Sequence, residues 1–407
     1  PSDAEVTDVF RQIFYLIASF IFPENLLEQI YYLFALWVGV LGFYFLSTVI
    51  SKYLFNDKEN YIYREIFSAA SSLFYLFNLN TLSVFYSPII PFINRFYSLP
   101  ILIYFFLKTF ETDKNRKKYF FILMLLVIIT SGINITPTVF VVTFFAFFIL
   151  FLFELEFDFK KIFFYSILFL LLNSFWFLPF LHYTFRKSPI IPLARTFIEI
   201  NESTLNQPKE NFSFYKQSVL YPSFFDIKFP ALKGEKFQFS YPNLNDYEKK
   251  INKIVFFSFP IFYFGGSFLI ILKKKRKLLW LPFWIFIFLF LSTKQYGPLG
   301  FVYSFLDKNI PYFGIIFRIG DTKFHYYISF SGSLLAGYFL LIVIKKLLSI
   351  SFKKFRMVFA FLILFIFSYY IYLFKTYFTG DLINFFVYVK IPNAYFQIAQ
   401  KINQDSS

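Results

Sequence analysis

Long apolar runs separated by short polar stretches set the pattern of this chain. The runs lie near residues 28 to 50, 66 to 86, 95 to 110, 119 to 133, 136 to 153, 162 to 183, 253 to 272, 278 to 293, 325 to 344 and 357 to 374. Each approaches the roughly 20 residues with which a helix crosses about 30 Å of hydrocarbon, so the pattern predicts ten spans. Several runs fall short of that length, which leaves one pair open to a re-entrant reading. A further run, Val9 to Phe22, is interrupted by Arg11 and Gln12 and ended by Pro23, which predicts an amphipathic helix lying in the interface. The expected fold class is an all-α polytopic membrane protein.

Composition agrees with the pattern. Of the 407 residues 58% are hydrophobic, 26% aromatic and 16% charged, against roughly 45 to 50% apolar and 25% charged in soluble domains. A water-soluble single domain is excluded. The net charge of +16 would suggest nucleic acid in a soluble protein; between spans, basic residues set orientation and hold anionic headgroups, so no nucleic-acid partner is expected. There is no cysteine, which rules out disulfides, thiolate chemistry and Cys-ligated metal. Two histidines, His182 and His325, are too few for the axial pairs of a membrane cytochrome. The chain opens at Pro1 without the basic and apolar regions of a signal peptide, and reads as a fragment or a trimmed chain.

Charge then fixes the expected orientation. The segments 51 to 65, 108 to 118, 154 to 161, 273 to 277 and 345 to 356 hold 20 Lys or Arg in 51 positions, while the alternate short segments and ends hold 9 in 102, the loop at 184 to 252 being too long to count under the rule. By the positive-inside rule both ends face outward, giving an integral, multi-pass protein of the cell membrane. The Asn-x-Ser/Thr triplets at Asn134, Asn201 and Asn211 all fall on the predicted outer side. Five regions follow: an external segment at 1–27, a six-span block at 28–183, an external loop or lid at 184–252, a four-span block at 253–374 and an external tail at 375–407. The lid contains FSFYKQSVLY and KFQFSYP, aromatic stretches expected to pair as strands. The tail reads VKIPNAYFQIAQKIN and suits the first helix of an external domain; its apolar stripe wants a downstream domain, a partner subunit or the membrane surface.

Ionisable groups near hydrocarbon are costly and tend to mark pathways or ligands. The densest outer cluster is FRIGDTKFHYY, with Arg318, Asp321, Lys323 and His325 just before a span. Basic groups at a span mouth beside a glycine suit a phosphate clamp, and equally a local ion pair with a snorkelling lysine. Arg95, nearly alone among apolar residues, must snorkel, pair or face a polar cavity. Asp3 and Asp8, before the interfacial helix, are candidate catalytic carboxylates or ordinary caps. His182 reads as a headgroup-level side chain, and Asn134 in SGINITPT as a cap or a ligand contact.

SGINITPT between two spans, LLNSFWFLPFLHYTF before a long outer loop with FIEINEST, FRIGDTKFHYYISFSGSLLAG entering a late span, and VKIPNAYFQIAQKIN beyond the last one together resemble the multi-spanning type C glycosyltransferases. The likeness is to arabinofuranosyltransferase-like and YfhO-like members. It implies transfer of a sugar from a polyprenyl-phosphate donor to an external glycan or surface-protein acceptor, with the lipid-linked sugar and membrane lipids as partners. A carboxylate of the first outer loop would be the base, placed here at Asp3 or Asp8. The lipid phosphate would be held by Arg318 and Lys323, with His325 supporting and Arg95 as a further contact. No resident cofactor is implied, and a divalent metal stays open. The family's first span, which precedes its acidic loop, is not matched in these residues. Two other classes remain: a non-catalytic subunit scaffolding a larger complex, and a lipid or solute transporter, for which the runs offer almost no midplane carboxylate.

Overall fold

The computed structural model describes residues 9–55, 61–86, 90–110, 114–134, 137–187, 212–220, 228–230, 236–238, 250–310, 313–317, 322–349 and 353–379. In chain order the helices are α1 (Val9–Ala18), α2 (Leu27–Leu54), α3 (Tyr61–Leu76), α4 (Leu79–Tyr86), α5 (Ile90–Lys108), α6 (Arg116–Ile129), α7 (Pro137–Glu154), α8 (Phe159–Leu172), α9 (Ser174–Lys187) and α10 (Phe214–Ser218). After a short antiparallel pair, β1 (Lys228–Pro230) with β2 (Lys236–Gln238), come α11 (Lys250–Leu272), α12 (Trp280–Thr293), α13 (Gly300–Asn309), α14 (Phe313–Ile316), α15 (His325–Leu348), α16 (Lys353–Leu373) and α17 (Thr376–Thr379).

All ten apolar runs fall on helix for nearly their whole length. Among the described residues five helices are long and apolar enough to cross a membrane unaided: Glu24–Leu54, Ile90–Lys108, Val255–Leu272, Arg276–Tyr296 and His325–Leu348. A sixth is formed if α8 and the start of α9, bent by 71°, are one span. The chain is an all-α polytopic membrane protein.

Two expected spans are broken, and an asparagine makes each break. Between α3 and α4, Asn78 Nδ2 donates to the Tyr75 and Phe74 carbonyls at 2.8 and 3.0 Å, while its Oδ1 accepts from Thr81 N at 3.0 Å. One side chain thus ends one helix and starts the next, satisfying backbone groups that lipid cannot. Between α8 and α9, Asn173 Nδ2 donates to the Phe169 carbonyl at 2.8 Å. The interfacial helix also stops earlier than expected, at Ala18, where residues 19 to 21 turn.

The element at the centre is α15, buried without interruption from His325 to Tyr338. Its run of Ser329, Ser331, Gly332, Ser333, Ala336 and Gly337 gives little side-chain bulk, so α3 and α11 pack against its backbone. A Cβ built on Gly266 of α11 would lie 2.1 Å from the Leu335 carbonyl oxygen, and one on Gly337 would lie 2.9 Å from Ser71 N of α3. One turn along α3 from Ser71, a stack of three rings binds α2, α3 and α5, with Phe330 of α15 edge-on to it. Phe43 and Tyr75 stack at 4.1 Å, Tyr75 and Phe96 at 4.7 Å, and the Tyr75 hydroxyl donates to the Phe96 carbonyl at 2.8 Å. The two blocks are joined through α7, where Trp284 Nε1 donates to the Ala146 carbonyl at 3.0 Å and the Tyr327 hydroxyl to Thr143 Oγ1 at 2.9 Å.

The basic loops meet at one end of this bundle. Lys277 pairs with Glu156 at 3.4 Å and lies over the Tyr53 ring; Lys345 lies over Phe55 and Tyr63 at 5.0 and 4.2 Å, and Lys273 over Tyr338 at 5.5 Å. These contacts bring together the ends of α2, α7, α11 and α15 with the start of α3. At the same end Glu154, 6% exposed, accepts from Trp280 Nε1 at 3.1 Å. Nearby, Asp158 caps α8, and its hydrogen bond with the exposed Lys161 holds its carboxyl below the usual range.

Candidate functional site

The opposite end holds the polar groups. There the start of α5, the turn Ser131–Asn134 between α6 and α7, the α8–α9 break and the start of α15 converge around Arg95. This arginine is 1% exposed, so it neither snorkels nor reaches water. Its Nη1 donates to the Thr322 carbonyl and its Nη2 to the Ile133 carbonyl, both at 3.3 Å. The guanidinium lies over the Tyr326 ring at 4.6 Å and the Phe92 ring at 6.0 Å. Its Nε has no hydrogen-bond partner among the described residues, and neither Asp nor Glu pairs with it there. Among the described residues the buried guanidinium is met only by carbonyl dipoles and ring faces, an arrangement that suits a compensating anion.

Asn134 stands beside Ile133 in a turn whose four residues are all buried. Its Nδ2 donates to Asn173 Oδ1 at 3.4 Å, and that oxygen also accepts from Trp176 Nε1 at 3.1 Å. Asn134 Oδ1 is buried without a hydrogen-bond partner among the described residues. Asn134 therefore joins two helix breaks through its side chain. Lys323 follows Thr322 and is 6% exposed; His325 is 1% exposed and its Nε2 lies 2.8 Å from Gln217 Oε1.

Of the six residues expected at the site, Arg95 meets the Thr322–Tyr326 stretch that carries Lys323 and His325, through the Thr322 carbonyl and the Tyr326 ring, while the His325 ring faces Gln217. Asp3, Asp8 and Arg318 lie outside the described residues. The helix that Asp8 precedes does reach the site: Phe10 of α1 packs on Tyr97 at 5.9 Å, and Phe14 on Tyr31 at 5.3 Å. Tyr31 in turn hydrogen-bonds Asn94, the neighbour of Arg95. His182, by contrast, is exposed on α9. Among the described residues no group of three or more His, Asp or Glu could hold a metal ion.

Residues that sequence reasoning passed over complete the site. Gln217, Tyr263, Asn173 and Tyr326 all sit in apolar or aromatic surroundings where a lone polar atom gives little signal. Asn173 alone had one, as the amide in the middle of LLNSFW. The stretch FSFYKQSVLY, expected as a strand, instead forms α10, because Ser213 Oγ accepts from Lys216 N at 3.3 Å and starts a helix. In KFQFSYP the described residues, Lys236–Gln238, are strand, paired with Lys228–Pro230.

No family model matches the chain, and no curated protein and no solved structure was found to be similar to it.

Proposed function

We propose that this chain is a ten-span membrane glycosyltransferase that transfers a sugar from a polyprenyl-phosphate donor to an external glycan or surface-protein acceptor. The observation that carries the reading is the buried Arg95 guanidinium with no carboxylate partner among the described residues. A phosphate supplies the charge it lacks, and in a low-dielectric site such a contact is short and strong. Lys323 and His325 lie on the stretch that Arg95 meets, and Arg318, five residues before Lys323, is the further basic contact. As the sugar leaves, negative charge grows on the phosphate, so these cations stabilise the transition state more than the ground state. A carboxylate takes the acceptor's proton. Asp3 and Asp8, which precede the helix that packs on Tyr97, are the candidates.

The same geometry supports the orientation. The basic loops gather at one end and Arg95 lies at the other, as an outward-facing donor site over a positive-inside bundle requires. On this reading the chain crosses the membrane ten times, and an even number of crossings with the basic loops inside puts both ends outside.

A second reading rests on the same arginine. Its two carbonyl bonds clip α5, the 131–134 turn and the approach to α15 together, which is also what a non-catalytic scaffold subunit would use. Transfer measured on the purified chain with a radiolabelled polyprenyl-phosphate sugar separates the two. On the glycosyltransferase reading, Arg95→Lys keeps the charge but loses the fork, and turnover falls roughly a hundredfold, as for loss of one transition-state donor. Full turnover in a folded Arg95→Lys protein, or none in the unaltered chain with any donor, sinks the enzyme.

A further inference from the structure

The helices α5, α6, α7 and α8 enclose a cavity of about 390 Å³, counting its open side, within the range of roughly 300 to 1,000 Å³ over which ligand sites fall. Its lining is apolar and aromatic throughout. Leu102 and Phe106 of α5 and Phe147 and Phe151 of α7 form a buried wall. Every half-buried lining residue comes instead from α6 or α8: Met124, Tyr165, Leu168 and Leu172. The cavity therefore opens sideways, between α6 and α8. Packing agrees, since α6 rests chiefly on α5 and α8 on α7, and the two meet each other less. Beside the mouth stand Phe121, Leu125 and Ile128 of α6 and Phe164, Ile167 and Leu171 of α8, all exposed. A mouth rimmed in this way suits hydrocarbon and not water.

One end of the cavity is closed by rings and marked by charge. Phe106, Phe110, Phe151 and Tyr165 meet there in ring contacts of 5.0 to 5.9 Å. The Tyr165 hydroxyl lies by Thr109 and the Arg116 side chain, so this ring stands between the cavity and the basic end of the bundle. The two helices that flank the mouth begin at that end, with Arg116, Lys117 and Lys118 on α6 and Lys160 on α8, all exposed. Among the described residues the neighbouring carboxylate, Asp158, is engaged with Lys161 at 2.8 Å. Six residues separate Lys118 from Met124 and eight separate Lys160 from Leu168. At the helical rise the cations stand about 9 and 12 Å from the mouth. Cations at the membrane surface above an apolar opening follow the order of a phospholipid, anionic head and then chain.

We propose that the α6–α8 mouth and its basic rim are a site for one anionic phospholipid of the leaflet at the basic end, with its phosphate at Arg116, Lys117, Lys118 and Lys160 and one acyl chain in the cavity. Left empty, the cavity would forfeit dispersion contacts along all its walls, and hydrocarbon is the filler its mouth admits. Each basic group near the surface adds to the attraction for an anionic head. Bound in this way the lipid ties α6 to α8. The far end of the cavity reaches Val127 and Leu172, the first one turn short of the 131–134 turn and the second next to Asn173. The chain thus also supports the two helix breaks on which the Arg95 locus is built. The inference needs α6 and α8 to lie in the bilayer and does not rest on the sugar-transfer reading.

Native mass spectrometry of the full chain, released from detergent with added phosphatidylglycerol or phosphatidylcholine of the same acyl chains, tests the site. The unaltered chain is expected to hold one phosphatidylglycerol roughly tenfold more tightly than phosphatidylcholine. The combination Lys117→Gln, Lys118→Gln and Lys160→Gln, all at exposed positions, should remove that preference, while Lys273→Gln, Lys274→Gln and Lys275→Gln on another basic loop should leave it. Leu168→Trp fills the mouth and should abolish retention of either lipid without lowering the thermal midpoint; Met124→Trp replaces it if that variant does not melt cooperatively. Equal retention of the two lipids by the unaltered chain overturns the proposal, as does a loss no greater at the rim than at the other loop. A folded, mouth-filled protein that keeps its lipid overturns it too. Displacement of the lipid by glycerol 3-phosphate, which has the head without the chains, would reduce the site to a phosphate patch and reject the cavity as the seat of the chain.

Discussion

The side chains that decide this structure are those whose polar atoms have nowhere else to go. Asn173 is the clearest case. Its Nδ2 ends α8, and its Oδ1 takes both the Trp176 indole and the Asn134 amide. Replacing it with leucine removes the acceptor and strands those two donors in a buried place. The expected cost is about 1 to 3 kcal/mol for each donor left unmet, read as a lower midpoint in unfolding of the detergent-solubilised protein. An equal midpoint would mean that water reaches the break. Arg95 follows the same logic with a charge. Its burial was not legible in the sequence, where a lone arginine at a span mouth suits snorkelling as well as any site. What decided the matter was the pair of carbonyls from Ile133 and Thr322, respectively 38 and 227 residues away along the chain, and no local pattern announces such a contact.

Among the elements, α15 carries the most consequence. Its small residues were visible as SFSGSLLAG, but their meaning needed the neighbours. Gly266 of α11 sits against the Leu335 carbonyl, a backbone atom that cannot turn aside, whereas a methyl added at Gly332 of α15 would meet only the Phe259 and Tyr263 side chains, at 3.2 Å. Gly266→Ala is therefore expected to force α11 and α15 apart and to cost upwards of about 1 to 3 kcal/mol, the range for overpacking. Gly332→Ala should cost clearly less. Thermal melts of the two variants in the same detergent check the order, and a reversal would mean that the α11–α15 contact is loose. Helix existence was legible throughout, because runs of this hydropathy have little alternative in a membrane. The breaks at Asn78 and Asn173 were not, since one amide barely lowers the mean of a twenty-residue window. The 212–220 segment was misread because alternating aromatic and polar residues suit a strand by period, while a serine cap and the ring faces of α11 favoured a single helical turn.

For the whole molecule, the charge pattern and the geometry converge on one axis. The basic loops were readable as a set before any contact was known, and their ends do meet. What the sequence could not supply was the partner of each helix, because apolar faces in lipid are nearly interchangeable and packing is set by small residues and rare polar atoms. The orientation is testable on the cysteine-free chain. With Lys275→Cys and Lys308→Cys as separate reporters, an impermeant maleimide applied to intact cells should label position 308 and spare position 275. The opposite result inverts the bundle and moves the Arg95 locus to the inner face.

The order of synthesis gives the central position of α15 one further consequence. The helices packed most closely on it, α3, α11 and α12, are all made first, and the carbonyl of Thr322 that holds Arg95 emerges only when about four-fifths of these 407 residues have been built. Until then the early helices stand around a vacancy, with a guanidinium half-satisfied in the bilayer and the groove beside Gly266 waiting for a helix not yet translated. Such an intermediate needs either lipid or an insertion factor to occupy the vacancy, and the last third of the protein acts as the keystone that ends that dependence.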